Sequence, residues 1–171
     1  MKVVKRNENK TWFIVAFEDE FRTKNHNVVY TGPGKVNAAM ATQWLIDNHH
    51  PSEIINVGTA GGNPSQVDKG LVYVIKRAID RDWTTPSGSK VAFELAMDVA
   101  GSQDCFTGDS FVTDLENSEY PLVDMEVCAI AAVCKENNVK LKSYKYVSDC
   151  GDDEDWQNSL TKCNEVFNRM F

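Results

Sequence analysis

An α/β fold with a largely parallel or mixed sheet and helices on both faces is predicted by three features of this sequence. Short apolar runs rich in β-branched residues alternate with segments of helical spacing along the whole chain. Glycine, proline and acidic clusters separate these segments, as turn residues do. No internal repeat, low-complexity segment or linker interrupts the pattern, so residues 1–171 are predicted to form a single domain.

The first half of the chain is predicted to alternate strands with one helix. The run from Thr11 to Phe17 is apolar and ends abruptly in acidic residues, as expected of a buried strand. Gly32 to Gly34 form a turn before a segment of helical spacing, which Pro51 ends. The segment from Gly58 to Gly62 is predicted to be a glycine-rich turn after a strand. The elements predicted here are strands over 11–17, 27–31, 53–57 and 70–78 and a helix over 35–48.

The second half of the chain is predicted to end in a strand and a helix. Residues 90–100 fit a strand or a short helix equally well. The helix predicted over 126–137 has Cys128 and Cys134 as small apolar groups facing the core. The remaining predictions are a strand and loop over 105–112, a short strand over 122–125, a strand over 140–147, an acidic loop over 151–155 and a closing helix over 156–171.

Composition excludes several classes of protein. A net charge of −7 argues against nucleic acid or an anionic membrane as the main partner, because both are negatively charged and bind surfaces rich in lysine and arginine. No apolar run approaches the ~20 residues of a membrane span, and the charged start has no apolar signal region. The expected location is therefore the cytoplasm. Five cysteines without a Cys-x-x-Cys pair, and only three histidines, predict free thiols rather than a zinc site or a disulfide framework. No cofactor is expected.

Four short segments are the candidates for a functional site, because each lies where an apolar run ends or a helix begins. Ligands of α/β proteins bind beyond the carboxyl ends of strands, which is where such segments lie. Each segment carries a carboxylate or a run of small residues. The segments are Phe17 to Glu20, Gly58 to Gly62, Val123 to Glu126 and Val147 to Asp149.

Each candidate carboxylate also has a purely structural interpretation. Asp149 follows a strand, where aspartate commonly caps a helix or a turn. Glu20 belongs to an acidic trio that could be a solvated charge cluster, although any buried member would have a raised pKa. Glu126 opens a helix, where it could simply stabilise the helix dipole, or it could accept two hydrogen bonds from a vicinal diol such as that of ribose.

Six motifs, in order, make the chain resemble the purine nucleoside phosphorylase and nucleosidase superfamily. Within it, the chain is most similar to the 5'-methylthioadenosine/S-adenosylhomocysteine nucleosidase branch. The resemblance extends from about Ile14 to Asp149. The motifs are the first strand with its acidic end at 14–20, the Gly-x-Gly-Lys helix start at 32–39, the Gly-Thr-Ala-Gly-Gly segment at 54–62, the Gly-Asp-x-Phe loop at 107–111, the Asp-Met-Glu helix start at 123–131, and Ser148-Asp149.

The resemblance implies a three-layer α/β/α fold with a mixed central sheet, often dimeric, and cleavage of the N-glycosidic bond of a purine nucleoside. Adenosine-type substrates are implied, including 5'-thio-substituted ones such as methylthioadenosine or S-adenosylhomocysteine. By this similarity, Asp149 donates a proton or a strong hydrogen bond to purine N7, and Glu20 deprotonates the attacking water. Glu126 holds the 2'- and 3'-hydroxyls of the sugar.

The resemblance also implies five further binding residues. Phe111 packs on the base, with the Phe111 and Val112 backbone near the base edge. Met125 packs beneath the ribose, and Thr59 is the small hydroxyl residue beside the sugar and the nucleophile. Ser148 contributes to substrate binding as part of the Ser-Asp pair.

Two departures from the family pattern and several alternatives stay open at this point. Lys145 stands where the family often has arginine, and Asp124 replaces the usual glutamate. Hydrolysis is favoured over phosphorolysis because no arginine follows the first strand in a Gly-x-Pro-x-Arg arrangement, and Glu18 to Glu20 would repel phosphate there. The alternatives are a phosphorylase, a non-catalytic nucleoside-binding protein, and a divalent-metal site at 149–155, where five carboxylates occur without the spacing of a calcium loop. Trp156 and Trp83 are both candidates to cap a 5'-substituent.

Overall fold

Nine strands and three helices make up the protein, and the computed structural model describes all residues 1–171. The helices are α1 (Lys35–His49), α2 (Val127–Glu136) and α3 (Asp153–Met170). The strands are β1 (Lys2–Val4), β2 (Thr11–Val15), β3 (Asn27–Tyr30), β4 (Glu53–Gly62), β5 (Val72–Thr84), β6 (Lys90–Glu94), β7 (Gln103–Thr107), β8 (Leu122–Asp124) and β9 (Lys140–Asp149).

The strands form one mixed sheet in the order β1-β3-β2-β4-β8-β7-β5-β6, and β9 pairs with both β4 and β5. Strands β3, β2, β4 and β9 pair parallel in that order, as do β5, β7 and β8. The antiparallel pairs are β1 with β3, β4 with β8, β5 with β6 and β5 with β9. Because β9 bridges β4 and β5, the strands β4, β8, β7, β5 and β9 close into a ring. The mixed sheet confirms the prediction.

Helices cover both faces of the sheet, because β2 is apolar from Trp12 to Val15 and successive side chains point to opposite faces. Trp12 and Ile14 belong to the core beneath α1 and α2, whereas Phe13 and Val15 belong to the core beneath α3. The three layers are therefore α1 and α2, the sheet, and α3, which confirms the predicted three-layer α/β/α architecture. None of the three helices combines the length and apolar character that a bilayer crossing requires.

The predicted turn over Gly58 to Gly62 is wrong, because these residues continue β4 to its end. The glycines are there to allow close packing within the strand. A Cβ on Gly61 would lie 2.7 Å from Leu115 Cδ1, and one on Gly62 would lie 2.6 Å from side-chain atoms of Val67 and Val147. A strand that must pass this close to its neighbours cannot carry side chains here.

Other boundaries also differ from the predictions. Strand β1 was not predicted, because three residues in a charged segment give no clear pattern. Residues 90–94 are a strand, which resolves the ambiguity over 90–100. Helix α3 begins at Asp153, inside the predicted acidic loop, because the Asp152 side chain accepts a hydrogen bond from Asp155 N and caps the helix. Cys128 and Cys134 are buried, as predicted.

Candidate active site

One pocket lies at the edge of the sheet where the parallel strands β2, β4 and β9 end. Parallel strands present their carboxyl ends at the same edge, so residues far apart in sequence meet there. All eight site residues predicted from the sequence line this pocket, together with parts of the segments that follow β2 and β8. The predicted residues are Glu20, Thr59, Phe111, Val112, Met125, Glu126, Ser148 and Asp149.

Glu20 is buried and held by three hydrogen bonds, all of which it accepts. Thr59 donates both its backbone N–H and its hydroxyl to Glu20 Oε1, at 2.8 Å and 2.7 Å. Phe17 N donates to Oε2 at 3.0 Å. Gly58 makes room for the carboxylate, because a Cβ there would lie 3.2 Å from Oε1. A carboxyl group that only accepts hydrogen bonds is arranged as the ionised form prefers.

Asp149 owes its orientation to a β-bulge at the end of β9. Ala60 pairs with Val147 and Gly61 pairs with Asp149, so Ser148 is an extra residue on β9. Since paired residues share a face of the sheet, the bulge places Asp149 on the face opposite to Val147. A Cβ on Gly61 would lie 3.3 Å from Asp149 Oδ1, so the glycine also leaves space for the carboxyl group.

Burial raises the pKa of Asp149 above its ordinary value, although hydrogen bonds from Ser148 Oγ and from the backbone N–H groups of Gly151 and Asp152 act in the opposite direction. Ser148 Oγ lies 2.7 Å from Asp149 Oδ2 and 3.2 Å from Ala60 O. The hydroxyl can therefore donate to the ionised carboxylate, or donate to the carbonyl oxygen and accept from the protonated acid. Both protonation states of Asp149 have a partner.

Glu126 is buried at the start of α2, and its carboxylate accepts a hydrogen bond from Gly34 N at 2.9 Å. Gly34 has φ 92°, a left-handed conformation that suits glycine, and this backbone directs its N–H at Glu126. Burial and the charge of Asp124 raise the pKa of Glu126 to about 7, against the opposing charge of Lys145. Near neutral pH, the protonation of Glu126 is therefore poised to respond to a ligand.

Asp124 acts on Glu126 through its charge, although no role was predicted for Asp124. Burial would raise the pKa of Asp124, but Lys145 and hydrogen bonds from the Thr107 hydroxyl and Val127 N lower it overall. Because Asp124 stays negatively charged, it favours the protonated form of its neighbour Glu126. The only signals in the sequence were the departures from the family pattern at 124 and 145.

Phe111 and Val112 lie on the loop after β7, at the rim of the pocket. Arg81 holds this loop, because its Nη2 donates to Ser110 O at 2.5 Å. The guanidinium crosses directly over Gly108, where a Cβ would lie 2.3 Å from Arg81 Nε. Phe111 exposes 45% of its surface, which gives the pocket an open aromatic wall beside the carboxylates.

The sequence offered both Trp156 and Trp83 as caps for a 5'-substituent. In the structure Trp156 lines the pocket and Trp83 does not. Trp156 lies on the first turn of α3, packed edge-to-face against Phe17 with ring centroids 5.7 Å apart. Its place in the pocket follows from the early start of α3, which the sequence did not indicate. Gly34 N as the partner of Glu126 was also missed, although the Gly-Pro-Gly turn was a signal for unusual backbone.

No lysine or arginine side chain is among the residues that line the pocket, whereas five carboxylates are. The five are Glu20, Asp124, Glu126, Asp149 and Asp153. The amides at the start of α1 are also taken by carboxylates, since Gly34 N donates to Glu126 and Lys35 N donates to Asp109 Oδ1. The site therefore suits a neutral ligand rich in hydroxyl groups rather than an anion.

Comparison with known proteins gives a consistent family. Residues 4–105 match the model of the phosphorylase superfamily. The chain is 31% identical to 5'-methylthioadenosine/S-adenosylhomocysteine nucleosidase of Bacillus cytotoxicus, covering 72% of this chain and 68% of that protein. It is 28% identical to the nucleosidase of the same name from Actinobacillus succinogenes, covering 87% of this chain and 78% of that protein.

Solved structures share the fold at lower sequence identity. The 5'-methylthioadenosine/S-adenosylhomocysteine nucleosidase of Helicobacter pylori superposes with a TM-score of 0.79 at 16% identity, over 95% of this chain and 97% of that one. Futalosine hydrolase of the same organism superposes with a TM-score of 0.77 at 17% identity and the same coverage. By the family model and the relatives together, the chain belongs to the phosphorylase superfamily and, within it, to the family of the 5'-methylthioadenosine/S-adenosylhomocysteine nucleosidases.

Proposed function

We propose that this protein hydrolyses the N-glycosidic bond of a purine nucleoside, releasing the free base and the sugar. The substrate class is adenosine-type nucleosides, including those with a 5'-thio substituent, as the names of the relatives indicate. The observation that carries the proposal is the placement of Glu20 and Asp149 against one strand of one pocket. Glu20 lies against Gly58 and Asp149 against Gly61.

The two carboxyl groups contact β4 at separate points, Glu20 through its hydrogen bonds to Thr59 and Asp149 beside Gly61. Inverting glycosidases likewise keep their two carboxyl groups apart, so that a water molecule and the sugar fit between them. The nucleoside would span the gap, with its base towards Asp149 and its anomeric carbon towards Glu20.

The two carboxyl groups are suited to opposite roles. Burial favours the protonated form of Asp149, which would donate to purine N7 and so improve the base as a leaving group. Glu20 only accepts hydrogen bonds and would take a proton from the attacking water as the sugar becomes cationic. Ser148 supports either protonation state of Asp149 during this exchange.

The remaining residues would bind the two ends of the nucleoside. Glu126 would accept hydrogen bonds from the 2'- and 3'-hydroxyls, with Met125 beneath the ribose. Phe111 would pack on the base, with the backbone of Phe111 and Val112 near the base edge. Thr59 would stay beside the sugar and the nucleophilic water through its bonds to Glu20. No cofactor or metal takes part in the proposed mechanism.

Water is favoured over phosphate as the attacking group. A phosphate dianion would meet carboxylates in the pocket and no arginine or lysine, and the amides at the start of α1 already hold Glu126 and Asp109. Phosphorolysis would therefore require a dianion to enter a pocket lined by negatively charged groups.

The test is a panel of purine nucleosides incubated with the protein in phosphate-free buffer, followed by chromatography for free base. We expect release of adenine from adenosine-type substrates at a rate that added phosphate does not raise. Strict dependence on phosphate would support a phosphorylase instead. Tight binding of adenosine analogues without base release from any nucleoside would support a non-catalytic binding protein.

We also propose that the chain acts as a single domain, forms a homodimer and resides in the cytoplasm. Both cores share one sheet, which supports the single domain. Val36 and Met40 lie one turn apart on α1 and expose 70% and 67% of their surface, which supports a contact between copies. All five cysteines are free thiols, as is usual in a reducing compartment. Sedimentation of the protein and of a Met40→Glu variant would test the dimer, and the variant should sediment as a monomer.

A further inference from the structure

A chain of hydrogen bonds connects α3 to the carboxylate proposed as the base. Trp156 Nε1 lies 3.0 Å from Thr59 Oγ1, and Thr59 Oγ1 lies 2.7 Å from Glu20 Oε1. The three residues come from the first turn of α3, the end of β4 and the segment after β2. None of the six motifs that carry the family resemblance includes position 156.

The chemistry of the three groups gives this chain one direction. An indole N–H can only donate a hydrogen bond, so Thr59 Oγ1 must be the acceptor from Trp156. A threonine hydroxyl has one proton, and with a lone pair engaged by Trp156 that proton points to Glu20 Oε1. Glu20 thus receives a hydroxyl whose orientation is set from α3, in addition to two backbone N–H groups.

Trp156 is itself held in place by packing and by the helix it belongs to. Its ring packs edge-to-face on Phe17, whose backbone N–H binds the other oxygen of Glu20. Asp152 caps α3 one turn before the tryptophan, and Cys163 Sγ, farther along α3, lies 3.5 Å from Glu20 O. The helix therefore contacts the Glu20 segment at two separate points.

We propose that Trp156 is a positioning residue for the proposed hydrolysis: its indole N–H orients the Thr59 hydroxyl, which in turn keeps Glu20 aligned as an ionised base. This inference rests on the proposed function. Trp156 acts through Thr59 rather than on the reacting atoms. A phenylalanine at this position would fill much of the same space but could not orient the hydroxyl.

A double-mutant cycle between Trp156 and Thr59 tests the proposal. Trp156→Phe should lower kcat by about three- to tenfold, the effect of one neutral hydrogen bond, with KM changed less than twofold. In a Thr59→Val background, the same Trp156→Phe change should lower kcat less than twofold, because the hydroxyl is already gone. Trp83→Phe, an exposed tryptophan outside the pocket, is the matched control and should leave kcat unchanged.

A measurement independent of catalysis is the indole ¹⁵N–¹H resonance of Trp156, one of four such signals, which the Trp156→Phe variant identifies. Thr59→Val should move this resonance upfield and speed its exchange with solvent, whereas the other three should stay in place. Equal effects of Trp156→Phe with and without Thr59, or an unmoved resonance, would overturn the proposal. If the unmodified protein releases no base, the proposed function fails, and the resonance still decides whether Trp156 binds Thr59.

Discussion

Lys145 Nζ lies 2.8 Å from Asp124 Oδ2, and neither side chain exposes more than 2% of its surface. These are the two positions at which the sequence departs from the nucleosidase pattern, with lysine for the frequent arginine and aspartate for the usual glutamate. The structure shows that the two departures are partners in one ion pair. Compared with a glutamate–arginine pair, this pair has the same charges but a shorter acid. Its ammonium group binds as a point charge, whereas a guanidinium group binds as a two-pronged fork.

Removing one member of this pair should destabilise the protein strongly. Lys145→Met leaves the Asp124 charge buried without its partner, and we expect the free energy of unfolding to fall by about 3–5 kcal/mol. Urea unfolding at pH 7 measures this loss. The double variant Asp124→Asn/Lys145→Met should recover most of the stability, because it removes both charges. A loss below about 1 kcal/mol in the single variant would mean that the pair is not buried in solution.

Asp149→Asn should lower turnover by at least ~10²-fold, because one positioned acid commonly contributes that much. The wild-type rate should also fall with rising pH as Asp149 loses its proton, at a pH above the ordinary range of an aspartate, since burial raises its pKa. The asparagine variant should lack this limb of the pH–rate profile. Asp155→Asn is the matched control, because Asp155 pairs with Lys69 outside the pocket. Near-normal hydrolysis by Asp149→Asn would remove this residue from the mechanism.

Glu126→Gln should change how stability depends on pH. The pKa of Glu126 rises from an ordinary 4.5 to about 7 on folding, so the folded protein binds this proton more tightly than the unfolded chain. Its contribution is fully present below about pH 4.5 and is lost as the pH rises through about 7, for a total of about 3 kcal/mol. Relative to wild type, the glutamine variant should therefore gain stability between pH 4.5 and pH 8.

Urea unfolding of both proteins at pH 4.5 and pH 8 measures that gain. An equal difference in stability at the two pH values would contradict it. The variant should also bind a nucleoside analogue more weakly above pH 7, because an ionised Glu126 is the proposed acceptor for the two sugar hydroxyls.

Gly58→Ala should reduce activity with little loss of stability. The new methyl group would lie 3.2 Å from Glu20 Oε1 and would push against a carboxylate that three hydrogen bonds hold in place. A small displacement of a catalytic group is costly, so we expect kcat to fall at least about tenfold. The free energy of unfolding should change by less than about 1 kcal/mol. Steady-state kinetics and thermal unfolding of the same preparation separate the two effects.

Local sequence pattern was sufficient for most of the fold. The apolar run at Thr11 and the helical spacing after Gly34 each produce one element, because local preference and burial agree there. The glycine segment at 58–62 was misread, since glycine is common both in turns and where strands pack closely. Its neighbours in space, Leu115 and Val147, are far away in sequence and give no local signal.

Most members of the site were predictable because they lie near the end of a strand, in the segment that follows a strand, or at the start of a helix. The hydrogen bonds that connect these residues to one another were not predictable. The bond from Gly34 N to Glu126 spans 92 positions, and the bond from Trp156 to Thr59 spans 97. Such contacts depend on how the sheet and helices pack, and no periodicity within a short window reports them.

The extra residue in β9 has a consequence for exchanging segments between relatives. Side chains on a strand have two possible directions, and Ser148 changes which of them Asp149 takes. Deleting Ser148 would remove the bulge but leave the acid paired with Gly61, without its hydroxyl partner. A β9 of unchanged length that paired without the bulge would instead place Asp149 opposite Gly62, on the face of α1 and α2. A segment exchanged at this edge must therefore carry the bulge as well as the acid to keep its chemistry.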